Sequence, residues 1–209
     1  MAEIPSTARV VIIGGGVVGR NAAEMAVGMR ADVVVLDKSE AVLEQLDGLF
    51  QGRAKTVYST RDSLERHVLE ADLVIGGVLI PGAAAPKLVS SDMIARMKPG
   101  SVIVDVAIDQ GGCTENSRAT THAEPTYVID GVVHYCVANM PGGVPLTSTY
   151  ALNNATLPYI LKLADQGWRQ ALKDDEHLRR GLNVHAGKLT NAEVGEALNL
   201  EFVDPSQVV

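Results

Sequence analysis

The chain is short of aromatic residues, cysteine and positive charge, and each shortage removes a class of protein. Aromatic residues make up only 4% of 209, so the core has to be assembled from Val, Leu, Ile and Ala, as in a parallel sheet buried on both faces. Lys and Arg number 18 against 25 Asp and Glu, a net charge of −7 with no offsetting basic cluster, which argues against nucleic acid as a partner. The two cysteines, Cys113 and Cys136, lack any Cys-x-x-Cys or Cys/His ligand spacing, so no metal site is expected and reduced thiols of a cytoplasmic protein are the default reading. No apolar stretch approaches the length that spans a bilayer, so no membrane is expected. The opening Met-Ala-Glu-Ile-Pro-Ser-Thr has neither the charged nor the apolar region of a signal peptide. Only about eight residues precede the first apolar run, an abrupt start that leads us to expect a module, a subunit or an excised piece.

What is present is organised around one stretch. Val10, Val11, Ile12 and Ile13 are all β-branched, the mark of a strand buried on both faces, and they feed Gly14-Gly15-Gly16-Val17-Val18-Gly19, beyond which residues 17–29 are compatible with a helix. In a strand, turn and helix of this kind the three glycines of G-x-G-x-x-G have separate tasks: Gly14 permits the turn, Gly16 lets backbone approach a pyrophosphate, and Gly19 lets the helix pack close to the strand. The helix N-terminus then offers free N–H groups and the positive end of its dipole to phosphates. A lone glycine pattern is weak, but residues 31–37 supply a second apolar strand that ends in a carboxylate, Asp37, about 20 residues on. That is where a dinucleotide-binding fold places the acid for the adenosine ribose hydroxyls. Because a carboxylate there repels a 2′-phosphate, Asp37 argues for NAD over NADP, and the adjacent Lys38 weakens this only slightly. The competing reading is a glycine-rich turn followed by a solvated Asp.

Further along, the pattern predicts a polar helix over 39–49, a short strand over 56–58, a helix over 62–70 and a strand over 71–80. Pro81-Gly82 breaks that strand, and a helix within 83–97 has Ser90 or Ser91 as its cap. A fifth strand covers 101–108, and two more, 127–130 and 132–137, are joined by the Asp130-Gly131 turn. This alternation predicts an α/β protein: a doubly wound, mainly parallel sheet of the Rossmann type in the order 3-2-1-4-5-6, spanning residues 1–145. Residues 146–209 read as a helical C-terminal extension. It begins with a long helix over 146–168 that Pro158 should kink or break near Thr156. Helical patches follow over 170–178 and 190–198, the latter with Thr190 and Glu193 as a capping box. Ile160, Leu161, Leu163, Ala164, Trp168, Ala171 and Leu172 form an apolar set expected to pack against another domain or subunit.

Residues 71–82, 85–89, 97–100, 104–113, 134–141 and 147–158 carry a resemblance that covers nearly the whole chain. The most specific runs are Ile108-Asp109-Gln110-Gly111-Gly112-Cys113 and Cys136-Val137-Ala138-Asn139-Met140-Pro141. In them the chain resembles the alanine dehydrogenase family, which also includes the NAD-binding subunit of proton-translocating transhydrogenase. The resemblance implies NAD as cofactor and reversible oxidative deamination of L-alanine to pyruvate and ammonia. It implies that Val17, Val18, Asp37, Ser59, Val78, Leu79, Val106, Val137, Asn139 and Met140 line the dinucleotide together with the glycines. It also implies that Asp109 sits at the nicotinamide end, orienting water or moving a proton, and that copies of the chain associate through the long helix. An Asp that merely closes the Gln-Gly-Gly turn is the plain alternative for Asp109.

In this family a preceding domain supplies the lysine, histidine and arginine that hold the substrate, and no such domain is found in the sequence. The expectation is therefore the NAD-binding portion of an alanine dehydrogenase, catalytic with L-alanine or pyruvate only when a substrate domain is supplied. The alternatives are a stand-alone NAD-binding module and a transhydrogenase-type subunit. None of the histidines replaces the missing groups: His134 reads as core, His67, His177 and His185 as solvated surface, and His122 lies in a loop after Asp109 as the one near-site candidate.

Overall fold

β-branched strands that alternate with amphipathic helices give the first part of the chain its order. In the computed structural model, which describes residues 7–79 and 84–209, that order is β1 (Arg9–Ile13), α1 (Val17–Gly28), β2 (Asp32–Asp37), α2 (Glu40–Phe50), β3 (Ala54–Tyr58), α3 (Arg61–Glu70), β4 (Leu73–Gly76), α4 (Ser91–Ala95), β5 (Val102–Asp105), β6 (Thr126–Ile129) and β7 (Val132–Tyr135). The expected break at Pro81-Gly82, and the opening residues read for a leader, lie outside the described residues.

Strand β1 is central because both of its edges are taken: Val11 stands opposite Val34 on β2 and Val74 on β4, both in parallel. Its side chains alternate between two cores. Val11 and Ile13 pack with Leu64 and Val68 of α3 and Met93 and Ile94 of α4, whereas Val10 and Ile12 pack with Ala23 and Ala26 of α1 and Leu46 and Phe50 of α2. Helices therefore cover both faces, which is the doubly wound α/β architecture of the Rossmann type. Helices α2, α3 and α4 are capped by the Ser39, Thr60 and Ser90 side chains, which accept from Val42, Ser63 and Met93 N–H.

Several expectations are corrected. The sheet runs β3-β2-β1-β4-β5-β7-β6, so the sixth place belongs to the second strand of the hairpin, and β6 lies antiparallel at the edge. The predicted fifth strand over 101–108 ends at Asp105, because the buried Asp105 carboxylate accepts the Ala107 N–H at 3.1 Å and starts a 3-10 turn (Val106–Gln110). His67 is buried at the α3 surface that faces the sheet rather than solvated, and its Nδ1 has no partner among the described residues.

Residues 141–209 form a second compact unit. It comprises α5 (Pro145–Gln166), α6 (Trp168–Asp174), α7 (Glu176–Arg180), a two-stranded ribbon of β8 (Val184–His185) and β9 (Lys188–Leu189), and α8 (Ala192–Leu198). Helix α5 continues through Pro158 without the expected break near Thr156. Asn154, whose carbonyl loses its donor there, is exposed, so water can replace the missing N–H, and the Thr156 hydroxyl donates to the Leu152 carbonyl at 2.9 Å. The single helix expected over 170–178 is two, divided where the Asp175 carboxylate accepts the Leu178 N–H and caps α7. The cap of α8 is Asn191 and not Thr190, whose hydroxyl is spent on the Leu182 carbonyl. His185 is half-buried against Trp168, with ring centroids 4.8 Å apart, rather than solvated. Within the apolar set, Ala171 and Leu172 are buried while Ile160, Leu161 and Trp168 stay exposed.

His134, as expected, is core: it is fully buried on β7 and stacks on Tyr127 of β6 at 5.0 Å, with neither ring nitrogen bonded among the described residues. Desolvation lowers the pKa of both His134 and His67, with Arg66 adding to the effect at His67. The unfolded chain therefore binds protons that the fold refuses. The stability supplied by the neutral rings is complete above about pH 6.5 and is lost as pH falls below it. Thermal melting should show a falling Tm between about pH 7 and about pH 5. His134→Phe keeps the stacked ring and removes the unpaired N–H, so it should melt no lower than wild type at neutral pH and lose part of this dependence. An unaltered pH profile in that variant would contradict the assignment.

Candidate functional site

At the carboxyl end of the sheet the chain leaves β1 for one face and returns through β4 on the other, which opens a crevice between the two strand ends. A cavity of about 470 Å³ occupies it. Gly14, Gly16, Val17 and Val18 at the start of α1, Asp37 and Ser59 beyond the ends of β2 and β3, and Val78 and Leu79 beyond the end of β4 all line it. These eight sequence-predicted residues are thus brought to a single cavity.

The glycines divide their work by what a side chain would meet. Gly14 has φ +97°, and a Cβ there would lie 2.9 Å from the Gly77 carbonyl oxygen. At Gly19 it would lie 1.8 Å from the Gly14 carbonyl oxygen, so α1 rests on backbone where no methyl group fits. At Gly16 it would meet no protein atom within 4 Å. Gly14 and Gly19 are closed by the fold, and Gly16 faces open space. Gly16 is also the N-cap of α1, which has neither a side-chain cap nor an acidic residue in its first turn. Its orphan N–H groups therefore open on the cavity, the geometry that accepts an anion.

Asp37, at the end of β2, is oriented by two backbone donors: Gly15 N–H reaches Oδ2 at 2.6 Å and Ser39 N–H reaches Oδ1 at 2.8 Å. Each carboxylate oxygen retains a lone pair for a hydroxyl. Ser59 is set beside it because the Ser59 N–H donates to the Asp37 carbonyl at 2.9 Å. Gly15, Gly77, Pro86 and Leu88 also line the crevice or orient its acid and were not singled out from the sequence, while Lys38, weighed there only against the choice of NAD, lines it as well. The Gly14-Gly15-Gly16 and Gly76-Gly77 runs were the signals available for the glycines.

The remaining predicted residues lie outside this cavity. Gly19 is buried beneath it and Val137 is buried beyond the end of β7. Val106 begins the turn after β5 and Met140 a short 3-10 turn (Met140–Gly143). Asp109 and Asn139 meet each other: both are exposed, and the Asn139 N–H donates to Asp109 Oδ1 at 3.2 Å. His122 Nε2 stands 3.1 Å from the Asn139 carbonyl, so loops after β5 and β7 form one assembly that carries Asp109. Beneath them Asp105, fully buried, accepts from Cys113 N–H at 2.8 Å and from Ser117 Oγ at 2.5 Å. Burial and the Asp105 carboxylate push the Cys113 thiol far above its ordinary range, so it stays protonated. Among the described residues no group of three or more His, Cys, Asp or Glu side chains could hold a metal ion, and no helix is long and apolar enough to cross a membrane.

The profile of the family described as "Alanine dehydrogenase/PNT, C-terminal domain" matches residues 1–192. Alanine dehydrogenase of Halomonas elongata is 65% identical over 202 residues, covering 97% of this chain and 54% of that protein. A solved L-alanine dehydrogenase superposes with a TM-score of 0.83 at 52% identity, covering 92% of this chain and 53% of that one. A solved transhydrogenase from Sinorhizobium meliloti is more distant, with a TM-score of 0.63 at 32% identity, covering 70% of this chain and 41% of that one. The chain spans about half the length of the curated relatives it matches. The crevice, the glycine geometry and the extent of these matches agree, and the chain belongs to the alanine dehydrogenase/PNT C-terminal-domain family.

Proposed function

We propose that this chain is the NAD-binding portion of an alanine dehydrogenase. The carrying observation is the contrast among the glycines: a Cβ at Gly14 or Gly19 collides with backbone, whereas at Gly16, which lines the cavity at the uncapped start of α1, it meets no protein atom within 4 Å. That space suits a pyrophosphate, and Asp37, at the end of the neighbouring strand β2, suits the adenosine ribose hydroxyls. Val78 and Leu79 supply the apolar wall toward the nicotinamide end. When bound, the dinucleotide supplies a hydride acceptor for the Cα–H of an amino acid.

The chain's own part is to bind, orient and handle protons. The first turn of α1 seats the phosphates, and Asp37 fixes the adenosine end. Asp109, steadied by the Asn139 N–H, orients water or takes its proton at the substrate, which we propose is L-alanine or pyruvate held by a substrate domain. We assign the protein to the cytoplasm, in keeping with two free, buried thiols. We also assign it to a homo-oligomer: no residue of α5 is buried, yet Leu146, Tyr150, Leu152, Ile160 and Leu161 are exposed along it. The distant transhydrogenase match gives no comparable support to a transhydrogenase-type subunit.

Titration with NADH, read by nucleotide fluorescence, tests the assignment. Wild type should bind. Gly16→Ala should cost about 1 kcal/mol or less of stability while weakening NADH by about tenfold or more. Gly19→Ala should instead lower stability by about 2 kcal/mol or more, because backbone must move. Undiminished NADH binding by a folded Gly16→Ala protein would contradict the proposal. In a preparation that oxidises alanine, Asp109→Asn should lower kcat by about a hundredfold with NADH affinity nearly unchanged. Parallel losses of both would make Asp109 a structural residue.

A further inference from the structure

Of the five histidines, His122 is the one that the sequence places near Asp109, and it has no part in the function proposed above. Its Nε2 stands 3.1 Å from the Asn139 carbonyl oxygen. A carbonyl oxygen only accepts, so Nε2 carries the hydrogen and donates. The N–H of the same Asn139 donates to Asp109, at 3.2 Å to Oδ1 and 3.4 Å to Oδ2, and so lies across both oxygens of the carboxylate. Asn139 is therefore gripped on both sides: His122 holds the peptide group after its Cα, and Asp109 engages the one before it. The grip matters because Asn139 has φ +53°, the left-handed conformation that residues other than glycine seldom adopt. Such a conformation persists where the surroundings hold it, and rotation at Cα139 would swing the N–H away from Asp109.

His122 is itself held in place by the chain around it. Thr120 pairs in parallel with Val137, its N–H donating to the Cys136 carbonyl at 2.9 Å while its carbonyl accepts the Ala138 N–H at 3.1 Å. Thr120 is buried, and its hydroxyl closes the turn over 120–125 by donating to the Pro125 carbonyl at 2.9 Å. Thr121 Oγ1 accepts the Glu124 N–H at 3.2 Å inside the same turn. The segment that carries His122 thus runs beside the one that carries Asn139, and both belong with Asp109 to the first compact unit.

We propose that His122 is a positioning residue for Asp109: its Nε2–H locks the left-handed turn at Asn139, and the Asn139 N–H in turn keeps the Asp109 carboxylate aimed. The inference rests on the proton-handling role proposed for Asp109 and deepens it. In this arrangement the His122 ring moves no proton of the reaction and acts through two hydrogen bonds in series. What the reaction requires of it is a donor at one point in space, which an amide N–H supplies as well as an imidazole does.

Two readouts test it, one in the chain itself and one in a preparation that oxidises alanine. His122→Phe keeps a ring and removes the donor, and His122→Gln returns an amide N–H close to the position of Nε2. In the chain alone, the Asn139 amide of His122→Phe should exchange with solvent about tenfold faster than in wild type, and that of His122→Gln at nearly the wild-type rate. In the alanine-oxidising preparation, His122→Phe should lower kcat by about tenfold with NADH affinity and Tm nearly unchanged, and His122→Gln should recover most of that loss. Because His122 acts through Asp109, Asp109→Asn/His122→Phe should be no slower than Asp109→Asn. His122→Ala replaces the phenylalanine variant if that one fails to fold. Wild-type exchange or wild-type kcat in the variant without the donor overturns the inference. Losses that multiply in the double variant also overturn it, since the two residues then act independently. A His122→Gln protein as slow as His122→Phe overturns it as well, since the ring is then itself a proton carrier. If Asp109→Asn keeps the wild-type kcat, the role assigned to Asp109 fails and this inference falls with it, even where amide exchange follows the expected pattern.

Discussion

The closeness with which the first turn of α1 approaches the ends of β1 and β4 decides the rest of the site. Two backbone contacts set that distance, Gly19 against the Gly14 carbonyl and Gly14 against the Gly77 carbonyl, and neither leaves room for a methyl group. Such contacts cannot be relieved by turning a side chain, so the helix start is held in place by the sheet itself. The same approach brings the Gly15 N–H to the Asp37 carboxylate at 2.6 Å. The gap above Gly16 and the acid at the next strand end are therefore one construction, and loosening the first displaces the second.

A buried carboxylate plays the corresponding part on the other side of the sheet. Asp105 accepts the Ala107 and Cys113 N–H groups and the Ser117 hydroxyl, which ends β5 and folds the following loop back over the strand ends. Gly112 has φ +79°, and a Cβ there would come within 2.7 Å of an Asp105 carboxylate oxygen, so the loop closes tightly on that group. Asp109 rides on this loop and is met from the side by Asn139, itself at φ +53°. An exposed acid is thus presented on a closely packed loop, which suits the proton-handling role proposed for Asp109.

Much of this could be read in the sequence because parallel strands leave a plain record. Val10, Val11, Ile12 and Ile13 had to be buried on both faces, and the two cores confirm that adjacent members point to opposite sides. The places of Gly14, Gly16, Gly19 and Asp37 in the fold were legible from the glycine spacing taken together with the second apolar strand, since each answers a need of the strand, turn and helix unit. What escaped depends on contacts distant in sequence. Nothing near Asp105 announces that Cys113 and Ser117 return to it, so an apolar run looked longer than the strand it forms. Both strands of the Asp130-Gly131 hairpin are apolar enough to pair with β5, and only packing decides that β7 does so. His67 sits between Arg66 and Val68 in a polar stretch, yet helical phase turns it inward with Leu64 and Val68.

The most direct measurement is a crystal structure of the chain with NADH. Pyrophosphate oxygens within hydrogen-bond distance of the backbone N–H groups at the start of α1, with the adenosine ribose hydroxyls on Asp37, are the expected result. Nucleotide bound elsewhere, with Gly16 facing solvent and Asp37 touching only Gly15 and Ser39, would contradict it.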